Sequence, residues 1–173
     1  MSVITATDPD HLDIYGTKEA YLESFRHYTT LIQPGGALII HKNLEMKADV
    51  QEGVKVYDYS RDEGDFHAEN IVIDNGNITF DFVSPIETVK GIELGQPVPI
   101  NIENSVAAMA MAQLNGCNAE ELRYGMKTFQ GAVRRFDYKV RTPHHVFLSD
   151  YAHHPNEIYQ SAKSLRELYK DRK

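Results

Sequence analysis

Apolar residues recur at helical spacing near the start of the chain and form short runs after it. Between positions 17 and 33 four of them return every three or four residues: Tyr21, Phe25, Tyr28 and Ile32. This spacing predicts a helix, which Pro34-Gly35-Gly36 ends. The runs at 37–40 and 54–59 are typical of buried strands.

Residues 66–83 alternate between apolar and polar positions, with Asn75-Gly76 in the middle. Alternation on both sides of Asn-Gly is the strongest short-range signal for a β-hairpin. We therefore expect strands at 66–74 and 77–83, with further strand and loop at 86–98.

The pattern returns to helix after position 100. Residues 101–116 are rich in alanine and methionine, which predicts a closely packed helix. Asn118 and Glu121 stand at the spacing of a capping box, so a second helix is expected after Asn118. Gly131 is expected to end it.

After Gly131 a strand pattern begins again, at 137–142 and 145–149, and His154-Pro155 opens a last helix with proline in its first turn. The fold class is α/β. A strand, loop and helix without a returning strand leave a sheet unfinished, so we place a domain boundary near 131–134. Residues 1–133 are interpreted as one domain and residues 134–173 as the beginning of a second.

Composition excludes several classes of protein. The chain is 42% hydrophobic and 25% charged, as in ordinary globular proteins. It has no run of 18 apolar residues, which argues against a membrane span, and no signal-peptide pattern at its start. Cys117 is the single cysteine, so an internal disulfide is excluded and a reducing cytoplasm is favoured.

The formal net charge is −7, but the charge is uneven along the chain. Residues 134–173 carry nine Lys/Arg and five Asp/Glu, whereas residues 1–133 carry nine and twenty. The basic residues are spread over a strand and a helix face and are not grouped with aromatic residues. We therefore expect a solvated surface and no nucleic-acid partner.

Four candidate ligands lie within six residues near the start: Asp8, Asp10, His11 and Asp13. Carboxylate oxygens suit magnesium or manganese, and a neutral imidazole can join them. A solvated acidic turn before a helix has the same composition. The residues alone leave both interpretations open.

Two further pairs have a structural and a functional interpretation. Asn101 and Asn104 flank the start of the alanine-rich helix, where asparagine is a common cap. Two amides one turn apart can also read the edge of a purine. Arg134-Arg135 can clamp a phosphate, or form surface salt bridges.

The segment Ser149-Asp150-Tyr151-Ala152-His153-His154-Pro155 begins at a strand end and finishes at a helix N-terminus. Ligands of open α/β sheets bind at such places, and a helix N-terminus favours an anionic group. Asp150 can accept hydrogen bonds from vicinal hydroxyls. A metal site built from the nearby histidines is the weaker alternative, because their spacing fits no helical pair and no cysteine supports them.

Taken in order, four motifs resemble the Mur ligase family, and the resemblance extends over residues 8–158. They are Asp10-His11-Leu12-Asp13-Ile14-Tyr15, Asn101-Ile102-Glu103-Asn104, Phe129-Gln130-Gly131 leading into Arg134-Arg135-Phe136-Asp137, and Asp150-Tyr151-Ala152-His153-His154-Pro155. The resemblance implies the second half of a central ATPase domain, followed by the first strands and helix of a Rossmann-like C-terminal domain.

The resemblance implies ATP and Mg²⁺ as cofactors. By it, His11 helps to hold a magnesium ion, and Asn101 and Asn104 contact the adenine. Arg135 approaches the nucleotide from the C-terminal domain, and Asp150 binds the ribose hydroxyls. It leaves no residue with a certain catalytic role.

The histidine pair and the arginine pair are most similar to the branch that joins L-alanine to UDP-N-acetylmuramate in peptidoglycan synthesis. By resemblance Tyr151, His153 and His154 line the alanine pocket. A related ligase that attaches a recycled tripeptide to muramate is the close alternative. A non-catalytic nucleotide- or metal-binding module is the alternative from another class.

The chain also departs from the family. Ile100 stands where many relatives have histidine, Ser149 where many have aspartate, and Ala152 where many have glycine. No Gly-Lys dipeptide occurs, so the phosphate-binding loop Gly-x-x-x-x-Gly-Lys-Ser/Thr is absent from this sequence. We therefore expect the 173 residues to begin after that loop and to be inactive on their own.

Overall fold

The computed structural model describes residues 1–9, 12–153 and 155–170, and this part of the chain is α/β. Its first sheet is parallel and contains β1 (Ser2–Ile4), β2 (Ala37–His41) and β3 (Lys55–Tyr59) in that order. The apolar runs correctly predicted β2 and β3. Because the strands are parallel, their carboxyl ends meet at one edge of the sheet.

Two helices separate β1 from β2: α1 (Leu12–Tyr15) and α2 (Lys18–Thr30). The Thr17 side chain caps α2 by accepting a 3.1 Å hydrogen bond from the Ala20 N–H. The apolar side of this region packs on the sheet in a small cluster of Ile4, Ile32 and Leu38. The helix ends at Thr30, before the proline and glycines that were expected to stop it.

The second sheet is antiparallel and contains β4 (His67–Asp74), β5 (Asn77–Val83) and β6 (Thr88–Glu93). The predicted hairpin is confirmed. Asn75 and Gly76 have φ angles of 43° and 79°, and positive φ at both central residues is what a two-residue type I′ turn requires.

Helix α3 (Pro99–Leu114) packs against strands of both sheets. It begins with proline after Val98, an N-cap that makes no side-chain hydrogen bond. The capping interpretation of Asn101 and Asn104 is therefore wrong, because both lie inside the helix. One face buries Ile102, Val106 and other small or apolar residues in the main core.

Helix α4 (Ala119–Thr128) has the predicted capping box, in which Asn118 and Glu121 exchange hydrogen bonds. It ends at Thr128, with Phe129 as an extended C-cap, so the expectation that Gly131 ends the helix is wrong. Gly131 lies beyond that end with φ 78°, and a Cβ there would lie 3.0 Å from the Gln96 side chain.

The remaining elements are β7 (Asp137–Arg141), β8 (Val146–Ser149) and α5 (Pro155–Leu168). Strands β7 and β8 pair antiparallel. Leu168 at the end of α5 is buried in the same cluster as the second sheet, and its carbonyl oxygen accepts a 2.9 Å hydrogen bond from the Gly76 N–H. The boundary between residues 1–133 and 134–173 stays a prediction.

Within the residues that the structure describes, no helix combines the length and the apolar character needed to cross a membrane.

Candidate functional site

A cavity of about 610 Å³ lies between the start of α3, the segment after α4 and the inner side of α5. Its wall brings together four residues singled out from the sequence: Asn101, Asn104, Arg135 and Asp150. They come from three separate parts of the chain. We refer to this space as the first cavity.

The two asparagines form a short chain of hydrogen bonds at the start of α3. The Asn101 Nδ2 donates to the Gln96 carbonyl oxygen at 3.2 Å, and the Asn104 Nδ2 donates to the Asn101 Oδ1 at 3.5 Å. Asn101 is half-buried and Asn104 is exposed. Both residues line the first cavity, and the Asn101 amide, itself anchored on Gln96, orients the Asn104 amide.

Arg135 lies between two residues with uncommon backbone conformations. Arg134 has φ 64° and Phe136 has φ 48°, and positive φ is unusual for a bulky side chain. Hydrogen bonds hold this segment: the Tyr151 N–H donates to the Arg134 carbonyl oxygen at 2.7 Å, and the Gln96 Nε2 donates to the Phe136 carbonyl oxygen at 2.6 Å. Such strained residues persist where surrounding structure fixes them, often at ligand sites.

The guanidinium of Arg135 is exposed and lies 3.4 Å from the Glu157 carboxylate. An exposed pair of this kind contributes little to stability, so the arginine can exchange this partner for an anionic ligand.

Asp150 is held by its own loop and by α5. Its Oδ1 accepts a 3.1 Å hydrogen bond from the Ala152 N–H, and its Oδ2 accepts one of 2.5 Å from the Ser161 hydroxyl. Each carboxylate oxygen has about two acceptor positions, so both retain capacity for a hydroxyl donor from a ligand.

Tyr151 and His153 do not line the first cavity. Their exposed rings make an edge contact, with centroids 5.2 Å apart, and the His153 N–H donates to the Glu157 Oε2 at 3.1 Å. His154, predicted with them as a substrate residue, lies outside the described residues.

A second cavity, of about 490 Å³, lies at the carboxyl ends of β1 and β2. It shares Ile100 and Asn104 with the first cavity, so the two are neighbours along the start of α3. Its wall is more polar and includes Asp8, Lys18 and Glu45 among other residues. Lys18 and Glu45 form a 2.6 Å ion pair, which raises the pKa of the lysine and lowers the pKa of the glutamate.

The predicted metal-binding segment fits a cation only in part. Asp8 is in the wall of the second cavity, and Asp13 is exposed in α1. Asp10 and His11 lie outside the described residues. Among the residues that the structure does describe, no group of three or more His, Cys, Asp or Glu side chains could hold a metal ion.

Sequence reasoning missed the residues that connect the site. Gln96 links α3 to the arginine segment, Ser161 supports Asp150, and Glu157 contacts both Arg135 and His153. Sequence reasoning also missed a half-buried pair in the wall of the second cavity, formed by His41 and Glu103. Gln96 and Phe136 are 40 residues apart and His41 and Glu103 are 62 apart, so no spacing rule could have joined them. Glu157 follows His153 by four residues, a helical spacing that could have indicated their contact.

Comparison with known proteins agrees with this architecture. The family profile described as "Mur ligase middle domain" matches residues 1–112. A UDP-N-acetylmuramate–L-alanine ligase from Phocaeicola vulgatus is 65% identical over 173 residues, which are all of this chain and 38% of that protein. The chain thus spans less than half the length of this relative.

Two solved structures share the fold. The UDP-N-acetylmuramate-alanine ligase from Thermotoga maritima has a TM-score of 0.80 at 19% identity, over 98% of this chain and 38% of its own. The MurF ligase from the same organism, solved in complex with ADP, has a TM-score of 0.74 at 14% identity, over 95% and 38%. Since the family profile covers most of the 173 residues, the chain belongs to the Mur ligase family, through its middle domain.

Proposed function

We propose that this chain is part of an ATP-dependent ligase that joins L-alanine to UDP-N-acetylmuramate in peptidoglycan synthesis. The observation that carries the proposal is the first cavity, because four nucleotide-binding candidates from three parts of the chain line it together. The 65% identity to a ligase of this specificity favours alanine over a recycled tripeptide.

The first cavity has the size and chemistry for a nucleoside. Its volume of about 610 Å³ lies within the usual range for small-molecule sites. The amides of Asn101 and Asn104 offer donors and an acceptor for the adenine edge. Asp150 would accept hydrogen bonds from the ribose hydroxyls, and Arg135 would exchange Glu157 for a phosphate oxygen.

The second cavity would take the phosphates and the metal. Asp8 would contribute a carboxylate ligand to Mg²⁺, and Lys18, in the same cavity wall, would neutralise phosphate charge. When bound, the cation neutralises charge on the transferring phosphoryl group.

The proposed reaction has two steps. ATP phosphorylates the muramate carboxylate to give an acyl phosphate and ADP, and the amine of L-alanine then attacks the acyl carbon as inorganic phosphate leaves. The contribution of these residues is mainly positioning and charge neutralisation. Tyr151, His153 and His154 would contact the alanine, whose carboxylate is favoured near the start of α5.

Replacing the matched segment of the Phocaeicola vulgatus ligase with these 173 residues tests the proposal directly. We expect the chimera to form UDP-N-acetylmuramoyl-L-alanine with ATP and Mg²⁺, and Asn101→Ala in the chimera to raise the KM for ATP. A folded chimera that binds ATP but accepts only the tripeptide would contradict the proposed specificity. One that binds nucleotide but forms no amide would contradict the proposed ligase activity.

The second candidate function is nucleotide binding without catalysis by the 173 residues themselves. It is favoured by the lack of a Gly-Lys dipeptide, since the phosphate-binding loop of the family cannot occur without it. We expect the purified chain to release no phosphate from ATP. Magnesium-dependent turnover that His11→Ala abolishes would overturn this expectation.

A further inference from the structure

His41 and Glu103 meet at the point where the two cavities join. His41 is the last residue of β2, and Glu103 lies in the first turns of α3, between Asn101 and Asn104. The His41 Nε2 lies 2.8 Å from the Glu103 Oε1. The side chains are 15% and 27% exposed, so the pair is largely shielded from water.

The surrounding hydrogen bonds define one arrangement of the imidazole. The backbone N–H of Asn43 points to the His41 Nδ1 at 3.3 Å, and a backbone N–H can only donate. Nδ1 therefore accepts this hydrogen bond with its lone pair, and the Nε2–H donates a hydrogen bond to the Glu103 carboxylate. One proton on the ring satisfies both contacts.

Glu103 has a second fixed partner. Its Oε1 also accepts a 3.2 Å hydrogen bond from the Arg61 N–H, in the loop after β3. The imidazole of His41 makes an edge contact with buried Tyr59, at 5.3 Å between ring centroids. Burial, followed by the charge of Glu103, raises the pKa of Tyr59 to about 12, so the phenol stays neutral beside the pair.

These contacts attach one helix to two strand ends. The start of α3 has no side-chain cap at Val98, so its first turn depends on other contacts for its position. Glu103 supplies such a contact to β2 through His41 and to the loop after β3 through Arg61. Asn101 and Asn104 lie two residues before and one residue after Glu103 on the same helix.

We infer that His41 and Glu103 are a positioning pair, which fixes the first turns of α3 and thereby the two asparagines at the adenine end of the nucleotide site. The inference rests on the proposed nucleotide function. Neither residue has to touch ATP for this role. The two side chains also line the second cavity, so direct contact with the phosphates or the metal is the alternative role. The experiment must distinguish this direct contact from positioning of α3.

The test uses the full-length ligase that carries these residues, with the KM for ATP, kcat and the Mg²⁺ dependence measured in turn. We expect Glu103→Ala to raise the KM for ATP about tenfold, with kcat and the Mg²⁺ dependence almost unchanged. Alanine is compatible with the helix, so α3 should persist. Glu103→Gln keeps an acceptor oxygen for both donors, and should restore most of the affinity.

Glu69→Ala is the matched control, because Glu69 also faces a histidine, His67, at 3.5 Å, on a strand outside both cavities. It should leave the KM for ATP unchanged. A Glu103→Ala variant that alters kcat or the Mg²⁺ dependence and leaves the KM for ATP unchanged would overturn the inference. Equal effects of Glu69→Ala and Glu103→Ala on the KM would also overturn it.

Two measurements do not depend on ligase activity. In the 173-residue chain, ¹⁵N NMR of the His41 ring should show the proton on Nε2, and an Nδ1-protonated neutral ring would contradict the inferred arrangement. In the full-length protein, calorimetry with a non-hydrolysable ATP analogue should show the same tenfold loss for Glu103→Ala. Loss of analogue affinity in a protein without ligase activity would support the positioning pair and contradict the proposed function.

Discussion

The Nε2 of Gln96 donates a 2.6 Å hydrogen bond to the carbonyl oxygen of Phe136, forty residues further along the chain. The carbonyl oxygen of Gln96 itself accepts a hydrogen bond from the Asn101 amide. One buried glutamine therefore joins Asn101, the candidate contact for adenine, to the segment that carries Arg135. Phe136 has φ 48°, and this hydrogen bond helps to hold its strained backbone. The contact crosses the predicted boundary between residues 1–133 and 134–173.

Replacing Gln96 with alanine should therefore destabilise the chain. The variant leaves the buried carbonyl oxygen of Phe136 without its donor, which costs about 1–3 kcal/mol. Urea unfolding followed by circular dichroism measures the change. Gln130→Ala is the control, since Gln130 is exposed and its side chain donates a 3.3 Å hydrogen bond to the nearby Thr128 carbonyl oxygen. Equal losses for the two variants would contradict the role of Gln96.

The hairpin turn allows a second test. A Cβ on Gly76 would lie 2.6 Å from the Tyr169 hydroxyl, and φ is 79° there. Gly76→Ala should lower the free energy of unfolding by about 2–4 kcal/mol, from strain plus the clash. Gly116→Ala has a comparable φ of 95° with nothing within 4 Å, and should cost only about 1 kcal/mol. Thermal melting of both variants measures the two losses of stability. Equal losses would show that the Tyr169 side chain does not limit the space at the turn.

Asp81 should make the stability of the second sheet depend on pH in the acid range. Hydrogen bonds from the Asn70 amide at 2.9 Å and the Gly91 N–H at 2.8 Å lower the pKa of its carboxyl. A lowered folded-state pKa contributes stability that is present above about pH 4 and is lost as the pH falls through the lowered value.

Asp81→Asn should thus reduce the free energy of unfolding at pH 7, by less than about 1.5 kcal/mol because the side chain is partly solvated. The variant should also lose stability less steeply in acid. Unfolding curves between pH 7 and pH 2 test this, with Glu52→Gln, on an exposed side chain, as the control. Parallel curves for Asp81→Asn and the unchanged chain would refute it.

Under the proposed function, Asp150 and His153 should affect different substrates of the ligase. Asp150 lines the first cavity and His153 does not. Asp150→Asn should raise the KM for ATP about five- to a hundredfold with little effect on the KM for alanine. His153→Ala should instead raise the KM for alanine, with little effect on the KM for ATP. Ser161→Ala removes the 2.5 Å hydrogen bond to Asp150 and tests whether the aspartate only supports its loop. If Ser161→Ala reproduces Asp150→Asn, or both KM values shift alike, the assignment is wrong.

Limited proteolysis tests the proposed boundary. Residues 132–135 are exposed, and Val133 is 80% exposed. Domain boundaries are exposed, so trypsin should cut the native chain between about residues 130 and 145 before it cuts elsewhere. Mass spectrometry of the early fragments identifies the cut. A first cut within 101–129 would contradict the boundary.

Local features of the fold could be predicted because each depends on neighbours in sequence. Asn75-Gly76 set the hairpin, since few other residues accept positive φ at both positions. Asn118 and Glu121 cap α4 for the same local reason, as their side chains satisfy the free N–H groups of one turn. The ends of helices do not follow as directly from the sequence: α4 ends at Thr128, before Gly131, and Phe129 is already extended.

The sequence by itself determined the α/β class, the hairpin and the family, and it named four of the residues that line the first cavity. Only the tertiary structure brought Asn101, Arg135 and Asp150 to one cavity, and only it joined His41 to Glu103, which lies sixty-two residues away. The physical reason is that periodicity and capping act within one or two turns. Contacts between distant residues depend instead on how whole elements pack around the common core.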